Sequence, residues 1–563
     1  FQLNPFPEAE PPAKRARTGV EEVNKQCESD EKQLHDKTQT PEQQQRDRIL
    51  VIDFGSQVSH LICRRVREAN VYCEMRSCLL SASDVMSFAP SGVILSGGPH
   101  SVYDSEGPHL REEVWEHFRA NKIPLLGICY GLQEMCHKFG GKVEPGVKRE
   151  FGHAELSVRG SVLFKDIARD VPVWMSHGDK VTELPPGFEA IASTSSCQYA
   201  AVENSHRLMW GVQFHPEVTH TPCGAQIIKN FVRTVCGCKG TWTMKDFAKR
   251  QAETILSKLG DKYCVGAVSG GVDSSVAASL VHSAVGNRFR PFLVDTGLLR
   301  KDEAKKVKER LEKHIPGLKL MVIDASQKFY AELSGVTEPE QKRKIIGRLF
   351  IECFEQAVKE MALSHEKCML LQGTLYPDVI ESTSFRGPST VIKSHHNVGG
   401  LPARMKMELL EPMRLLFKDE VRALGRELGL PEESVMRHPF PGPGLGIRII
   451  GEANKKNAAT LMAADDIYIQ ELQETGHYDK IGQAFAVLLP TVKSVGVMGD
   501  HRTYENVCVI RAVTSTDFMT ADWYDMPKDV LAKISNRIIN EVKGINRVCY
   551  DVSSKPPATI EWE

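Results

Sequence analysis

Short apolar runs that end in glycine-containing turns recur through the first part of the chain. Three of them are Ile49–Gly55 (ILVIDFG), Gly92–Pro99 (GVILSGGP) and Pro124–Gly131 (PLLGICYG). Each has the length and continuous hydrophobicity of a strand that is buried on both faces. The segments between them, such as HLICRRVREA and LREEVWEHFRA, have the spacing of amphipathic helices. Alternating strands and helices predict a parallel sheet with functional residues at the carboxyl ends of its strands.

The same alternation starts again after residue 240. The helical segment FAKRQAETILSKLG precedes the apolar run Cys264–Val268, a glycine–serine turn and the helical run VAASLVHSAV. The next strand is Arg290–Gly297 (RPFLVDTG). A second parallel-sheet domain is therefore predicted. The candidate linker between the two domains is CGCKGTW at 236–242.

The chain closes with a smaller pattern of strand (VCVIRAVTS), helix (VLAKISNRIINEV) and strand (INRVCYDV). The segment Arg437–Leu445 (RHPFPGPGL) has too many prolines for a helix and marks the boundary before it. The predicted domains are therefore 48–238, 239–437 and 438–563. The predicted fold class is α/β, with two parallel-sheet domains and a small α+β domain at the C-terminal side.

Residues 1–47 are rich in Pro, Glu, Gln and Lys and poor in large apolar side chains, which predicts disorder. The basic residues at 14–17, within Pro12–Arg17 (PAKRAR), have two interpretations. They could direct a fraction of the protein to the nucleus, or they could belong to an ordinary solvated tail. The segment lacks the apolar core of a signal peptide.

Composition narrows the range of partners. The 563 residues are 41% hydrophobic and 25% charged, with a net charge of −1, so no global field favours nucleic acid or a membrane. No apolar run is long enough to span a bilayer. The 15 cysteines are scattered, and Cys236 and Cys238 lack the matching second pair of a zinc site. This cysteine usage predicts a reducing, cytoplasmic location.

The turn Ser269–Ser275 (SGGVDSS) joins a predicted strand to a helix and is a candidate phosphate site. Its two glycines allow peptide N–H groups to approach an anion, and its serines and the helix N-terminus add donors. No lysine follows the glycines, so it is not the common NTPase loop. Asp273 would repel a bare phosphate, which predicts a bound divalent cation. The alternative is a glycine turn with a serine helix cap.

Cys129 occupies a comparable turn, Gly127-Ile-Cys-Tyr-Gly131, between a predicted strand and a helix that starts near Tyr130. Flanking glycines permit the strained elbow that lifts a nucleophile clear of a sheet. A helix N-terminus also raises the thiolate fraction of a thiol placed there. The alternative for an isolated cysteine is a small buried apolar side chain.

A thiol nucleophile needs a base and a group that orients the base. His215 and Glu217, in Phe-His-Pro-Glu-Val, stand two residues apart and so lie on one side of an extended chain. Cys129, His215 and Glu217 are thus a candidate triad, defined by roles and not by chain order. A single histidine is otherwise usually structural.

These motifs resemble the triad-type (class I) glutamine amidotransferases over about residues 48–238, including Ser176-His-Gly-Asp179. The resemblance implies that Cys129 attacks the glutamine amide, that His215 is the acid and base, and that Glu217 orients it. It also implies that an oxyanion and glutamine site is formed by Gly97, Gly98, Tyr130 and Gln133.

The second sheet resembles the N-type ATP pyrophosphatases, which cleave ATP to AMP and pyrophosphate and share the adenine-nucleotide α-hydrolase-like fold. The resemblance implies an ATP site at Ser269, Gly270, Gly271, Val272, Asp273, Ser274 and Ser275. Asp295 ends the next strand and is expected beside the adenine or ribose. Asp378 and Glu381 are candidate Mg²⁺ ligands, with Asp273, or lid residues. Lys393, His395 and His396 suggest a mobile lid over the phosphates, or alternatively a solvated loop.

The chain from about residue 48 onward is similar to the family of glutamine-hydrolysing GMP synthetases. This implies ATP-dependent conversion of XMP to GMP with Mg²⁺, through an adenylated XMP, with ammonia taken from glutamine. It also implies XMP contacts at Arg343, Asp500, Lys555 and Glu561, and a homodimer formed by 438–563. Two alternatives are an NAD-synthetase-like adenylating ligase and a non-catalytic nucleotide sensor. The sensor interpretation would predict loss of Cys129, His215 or Asp273, and all are present.

Overall fold

The computed structural model describes residues 47–104, 107–361, 365–382, 407–498, 501–515, 518 and 520–563. The chain divides into two units, residues 1–250 with 377–398 and residues 251–376 with 399–563. Of the predicted tail at 1–47, residues 1–46 lie outside the described residues. The domain boundaries at 238/239 and 437/438 stay predictions.

The first unit is built on a nine-stranded sheet with the order β2-β1-β3-β4-β9-β8-β7-β5-β6. The five strands from β2 to β9 run parallel, and the remaining pairs are antiparallel. The parallel strands include the three apolar runs that open the sequence, which are buried as predicted. The strands are β1 Arg48–Asp53, β2 Tyr72–Ser77, β3 Gly92–Leu95, β4 Leu125–Ile128, β5 Lys142–Val158, β6 Asp170–Glu183, β7 Glu189–Ser193, β8 Ala201–Asn204 and β9 Met209–Val212.

Helices connect the parallel strands of this sheet, as the alternating pattern predicts. In the third of these helices, the apolar positions Val114, Trp115 and Phe118 are buried while the acidic first turn is exposed. The helices are α1 Ser59–Glu68, α2 Ala82–Phe88, α3 Glu112–Ala120, α4 Tyr130–Lys138 and α5 Gly224–Lys229, and α6 Met244–Leu259 contains the division between the units.

The second unit begins with a five-stranded, fully parallel sheet of order β12-β11-β10-β13-β14. Its strands are β10 Tyr263–Ala267, β11 Phe289–Asp295, β12 Met321–Asp324, β13 Cys368–Leu371 and β14 Glu408–Leu410. The helices are α7 Val272–Val285, α8 Glu303–His314, α9 Ser326–Glu332, α10 Pro339–Glu360, α11 Tyr376–Ser382, α12 Lys418–Glu427 and α13 Glu432–Val435. By the division above, most of α11 belongs to the first unit.

A four-stranded mixed sheet completes the second unit, in which β16 pairs antiparallel with β15 and β17 and parallel with β18. Its elements are α14 Lys455–Glu474, β15 Gln483–Met498, β16 His501–Thr514, β17 Asp522–Trp523, α15 Lys528–Glu541 and β18 Ile545–Asp551. One apolar core runs from Val265 and Phe292 of the parallel sheet to Ile510 and Ile534 of this region. The two sheets of the second unit therefore share a core.

Within the described ranges, none of the helices combines the length and the apolar character that crossing a membrane requires.

Candidate active sites

The first candidate site is a sharp strand-to-helix turn at Cys129. Strand β4 ends at Ile128, helix α4 begins at Tyr130, and Cys129 between them has a φ of 51°. This left-handed backbone is uncommon outside glycine and marks stored strain. A Cβ at position 131 would lie 2.4 Å from the Leu95 carbonyl oxygen, so only glycine fits there. The structure therefore has the elbow that the Gly-x-Cys-x-Gly spacing predicts.

His215 and Glu217 lie at the same edge of the sheet, after β9. His215 Nδ1 is 2.8 Å from Glu217 Oε1, and the Glu217 side chain is fully buried. The Cys129 thiol lies beside the ring, where it helps to raise the pKa of His215. A Cβ at Gly97 would lie 3.1 Å from His215 Cε1 and 3.7 Å from Cys129 Cβ. The structure thus brings together the three triad candidates and the Gly97 backbone.

Burial and charge compete at His215. Burial alone would lower its pKa, but the Glu217 carboxylate, the neighbouring Cys129 thiol and the hydrogen bond with Glu217 outweigh it, so the pKa is raised well above its ordinary value. A raised histidine pKa favours the imidazolium, the form that stabilises a neighbouring thiolate.

The other predicted glutamine-site residues line the start of α4. Tyr130 donates its hydroxyl hydrogen to the Pro108 carbonyl at 2.8 Å. Its backbone directly follows the Cys129 turn. Gln133 is buried, and its Nε2 donates to the Asp179 carbonyl at 2.8 Å. A Cβ at Gly98 would lie 2.9 Å from the Phe54 carbonyl oxygen. The side chain of Gln133 therefore ties the Ser176–Asp179 segment to the nucleophile helix.

Two groups beside the thiol were not among the predicted site residues. Gln213 Nε2 and the Ser176 carbonyl oxygen are each 3.7 Å from Cys129 Sγ. His177 is buried, and its Nε2 is 3.1 Å from Glu150 Oε2 on the facing strand. Burial lowers the pKa of His177, although Glu150 opposes this. Cross-strand register brings Glu150 and His177 together, and no local motif signals that pairing.

The second candidate site is the loop between β10 and α7. Ser269 Oγ lies 3.1 Å from Ser274 Oγ and accepts the Gly271 N–H at 3.4 Å. Helix α7 starts at Val272, so its first N–H groups border the loop. Ser275 Oγ is buried and has no hydrogen-bond partner within the described ranges. Unsatisfied donors at a helix N-terminus are suited to an anion.

Two basic side chains that are distant in sequence contact this loop. Lys418 Nζ lies 2.6 and 2.5 Å from the two carboxylate oxygens of Asp273. Arg437 donates to the Gly270 carbonyl at 3.0 Å and pairs with Glu303. The loop thus obtains from α12 the lysine that its own motif lacks. The signal that could have found Lys418 is its position after β14, a strand of the same parallel sheet.

Asp295 ends strand β11, and its Oδ1 accepts the Gly297 N–H at 2.9 Å. This turn fixes the carboxylate at the carboxyl edge of the parallel sheet, as predicted. Asp378 is half-buried on α11. The side chain of Glu381 lies outside the described residues, as do Lys393, His395, His396 and Asp500.

Three predicted XMP residues lie in the second unit. Glu561 accepts from Arg448 at 3.0 and 2.8 Å and from Gln483 at 2.7 Å. Arg343 donates to the Glu563 carbonyl oxygen. Lys555 donates to the Phe518 carbonyl at 2.7 Å and lines a cavity of about 530 Å³.

The side chains near the 269–275 loop can be compared with the ligands that a Mg²⁺ site requires. The described ranges contain no group of three His, Cys, Asp or Glu side chains suited to holding a metal. Mg²⁺ is commonly held by one or two carboxylates together with substrate phosphates. The half-buried carboxylate of Asp273, at the edge of an anion loop, fits that arrangement.

Comparisons with known proteins match two family models and near full-length relatives. A family model for class I glutamine amidotransferases matches residues 50–235, and a model for the GMP synthase C terminal domain matches residues 470–562. A glutamine-hydrolysing GMP synthase of Phenylobacterium zucineum is 54% identical, covering 92% of this chain and 99% of its own. Relatives of the same name from Phaeosphaeria nodorum and Azoarcus sp. are 52% and 53% identical, over 92% of this chain and 97% and 99% of theirs.

The fold and the matched models indicate an enzyme that carries a class I glutamine amidotransferase on the same chain as a second parallel sheet and a GMP synthase C terminal domain. The identity extends over nearly the full length of the relatives. The chain belongs to the family of glutamine-hydrolysing GMP synthases.

Proposed function

We propose that this chain makes GMP from XMP, ATP and glutamine, with ammonia formed at Cys129 and used beside the Ser269–Ser275 loop. The reaction is XMP, ATP, glutamine and water to GMP, AMP, pyrophosphate and glutamate. One observation carries the proposal. A thiol, an imidazole and a carboxylate, with a 2.8 Å His215–Glu217 contact, occur on the same chain as an anion loop at a helix N-terminus.

In the amidotransferase half, the Cys129 thiolate attacks the side-chain amide carbon of glutamine. His215 holds the thiol proton and gives it to the amide nitrogen, so ammonia leaves and a thioester remains. Water, deprotonated by His215, then cleaves the thioester to glutamate and the free thiol. Glu217 orients the imidazole and stabilises the imidazolium. Peptide N–H groups near Gly97, Gly98 and Tyr130 face the oxyanion, and Gln133 binds glutamine.

In the synthetase half, the O2 oxygen of XMP attacks the α-phosphorus of ATP and pyrophosphate departs. Ammonia then adds at C2 and AMP leaves, which yields GMP. Transfer of this kind depends on positioning and charge neutralisation. The N–H groups and hydroxyls of 269–275 hold the pyrophosphate part, Lys418 adds a cation beside it, and Asp295 lies toward the ribose or adenine.

Mg²⁺ would neutralise phosphate charge when bound with ATP. Asp273 is the residue best placed to hold it, with Asp378 and Glu381 as further candidates. Because Lys418 contacts both oxygens of Asp273, the lysine and the cation would share or exchange this carboxylate. Lys393, His395 and His396 remain candidates for a lid over the phosphates.

XMP is assigned to Arg343, Asp500, Lys555 and Glu561. The cavity that Lys555 lines, about 530 Å³, lies within the ~300–1,000 Å³ of small-molecule sites. Glu561 accepts three hydrogen bonds from Arg448 and Gln483. A carboxylate can accept about four, so one position is left for a donor on the purine. Lysine and arginine suit the phosphate.

A homodimer through the C-terminal region is supported by exposed apolar side chains on the β15–β16 hairpin. Val495 and Val497 are 54% and 74% exposed, and Tyr504, opposite Val495, is 63% exposed. An apolar group of this kind on one face commonly marks an interface. The predicted cytoplasmic location is supported by the free thiols of the described cysteines.

The test is GMP formation from XMP and ATP with either glutamine or ammonium as nitrogen donor. Cys129→Ala should lose glutamine-driven turnover by at least about 10³-fold and keep ammonia-driven turnover. Cys136→Ala, a buried thiol on the same helix, is the matched control and should keep both. Loss of both activities in folded Cys129→Ala would contradict the two-site proposal. An NAD-synthetase-like activity would be detected as glutamine-dependent ATP cleavage that does not require XMP.

A further inference from the structure

One buried lysine outside the two catalytic loops has an unusual environment. The Lys342 side chain on helix α10 has no exposed surface. Its ammonium donates to three carbonyl oxygens, those of Gly446 at 3.1 Å, Ile449 at 2.8 Å and Gly451 at 3.1 Å. A fourth contact pairs it with the Glu563 carboxylate. A buried ammonium is costly unless it is fully coordinated, and here three carbonyls and a carboxylate meet that need.

The three carbonyls flank Arg448, whose side chain is also fully buried. Arg448 grips the Glu561 carboxylate with two hydrogen bonds at 3.0 and 2.8 Å. Its guanidinium lies 4.2 Å from the centre of the Phe485 ring. Lys342 and Glu561 are therefore connected through one short loop, 446–451. Lys342 holds the carbonyl groups of this loop, and Arg448 within it contacts Glu561.

Lys342 also contacts the chain two residues after Glu561. Lys342 pairs with Glu563, and its neighbour Arg343 donates to the Glu563 carbonyl oxygen. Arg511 donates to the carbonyl of Ile560, the residue directly before Glu561, at 2.9 Å. Glu561 is thus fixed through Arg448 on its side chain and through Glu563 and Ile560 on its backbone.

The two residues just before the 446–451 loop contact the segment after strand β11 of the parallel sheet. Leu445 donates its N–H to the Leu298 carbonyl at 2.7 Å, and Leu298 follows the turn after Asp295. Gly444 has a φ of 63°, and a Cβ there would lie 2.3 Å from the Leu298 oxygen. The loop is therefore pinned at one end to the tip of β11 and at the other to Lys342.

We propose that Lys342 is a positioning residue for the XMP subsite, because its ammonium holds the 446–451 loop and Glu563 together and thereby orients the Glu561 carboxylate. Lys342 does not touch substrate in this arrangement. The inference rests on the proposed assignment of Glu561 to XMP. Its consequence is that a lysine on α10 controls recognition of the purine base and not the chemistry at the phosphates.

The experiment measures ammonia-driven GMP formation by the full chain, which avoids the amidotransferase site. Lys342→Met removes the ammonium at similar length, and Glu563→Gln removes its charged partner. Each should raise the KM for XMP about 10- to 100-fold and leave the KM for ATP and the glutaminase rate unchanged. Lys344→Met, an exposed lysine on the same helix, is the matched control and should change none of them. The double variant should be no worse than Lys342→Met, since the Lys342–Glu563 contact that Glu563→Gln breaks is already lost in Lys342→Met.

Several outcomes would overturn the inference. One is an unchanged KM for XMP in both single variants. Another is an equal rise in the KM for XMP and for ATP together with a lowered melting temperature, which would mean a purely structural role. Should Lys342→Met not fold, Glu563→Gln decides alone. Glu561→Gln distinguishes failure of the positioning role of Lys342 from failure of the XMP assignment of Glu561. If it raises the KM for XMP while Lys342→Met and Glu563→Gln do not, the positioning role fails and the XMP assignment stands. If Glu561→Gln has no effect, the XMP assignment itself fails.

Discussion

Replacing Glu217 by glutamine tests the electrostatics of the amidotransferase site with little change in shape. The carboxylate is buried, and its Oε1 lies 2.8 Å from His215 Nδ1. At that distance, with an effective dielectric constant of about 20, the attraction between the two charges is at most about 6 kcal/mol. Burial of His215 opposes it. Glutamine keeps a hydrogen bond to the ring and removes this attraction.

We expect Glu217→Gln to lower kcat for glutamine hydrolysis about 10³- to 10⁴-fold. This corresponds to about 4–5.5 kcal/mol, within the limit set by the pair distance. The variant should also be destabilised by about 1–3 kcal/mol. Glu217 Oε2 is buried with no hydrogen-bond partner among the described residues, and an amide NH₂ placed there would be unsatisfied.

The pH dependence of that destabilisation has a defined sign. The folded pKa of His215 is raised, so its charge pair stabilises the fold fully below the unfolded value of about 6.5. This contribution is lost as pH rises through the folded pKa. The difference in unfolding free energy between the wild type and Glu217→Gln should therefore shrink with rising pH above about 6.5.

The assay is glutamine-driven against ammonia-driven GMP formation, with urea unfolding across pH and the exposed Glu189→Gln as control. Glutamine-driven turnover within about threefold of wild type would refute the reasoning, because that is under 1 kcal/mol of transition-state stabilisation. Equal loss of ammonia-driven turnover would also refute it, since the effect would then not be specific to the amidotransferase half.

Two further predictions concern the second unit. Lys418→Met removes the cation that contacts both oxygens of Asp273. We expect the KM for ATP in the ammonia-driven assay to rise about tenfold or more, while glutaminase activity is kept. An unchanged KM for ATP would exclude a role of Lys418 at the phosphates. Val497→Glu places a charge at the most exposed valine of the β15–β16 hairpin. We expect sedimentation velocity to show a shift from dimer to monomer. Val552→Glu, at another exposed valine, is the control, and an unchanged sedimentation coefficient for Val497→Glu would place the interface elsewhere.

The sequence by itself determined the features that depend on neighbouring residues. Buried strands ending in glycine turns predicted both parallel sheets, and the spacing Gly-x-Cys-x-Gly predicted the elbow, where Cys129 has a φ of 51°. The glycine–serine turn before α7 likewise lies where the pattern indicates. Local backbone chemistry fixes such elements, because strand burial, turn conformation and helix starts are decided within about ten residues.

Only the tertiary structure decided which distant charges meet. Lys418 contacts Asp273 across 145 residues, and Lys342 pairs with Glu563 across 221 residues. The family resemblance implies that Arg343 contacts XMP, which stays a prediction, whereas its hydrogen bond to the Glu563 carbonyl oxygen is visible only in the structure. Lysine and arginine occur all along the surface of a chain, and no periodicity marks the few that are buried. Their partners are set by how the sheets pack into one core, because a buried charge is tolerated only where that packing supplies its hydrogen bonds.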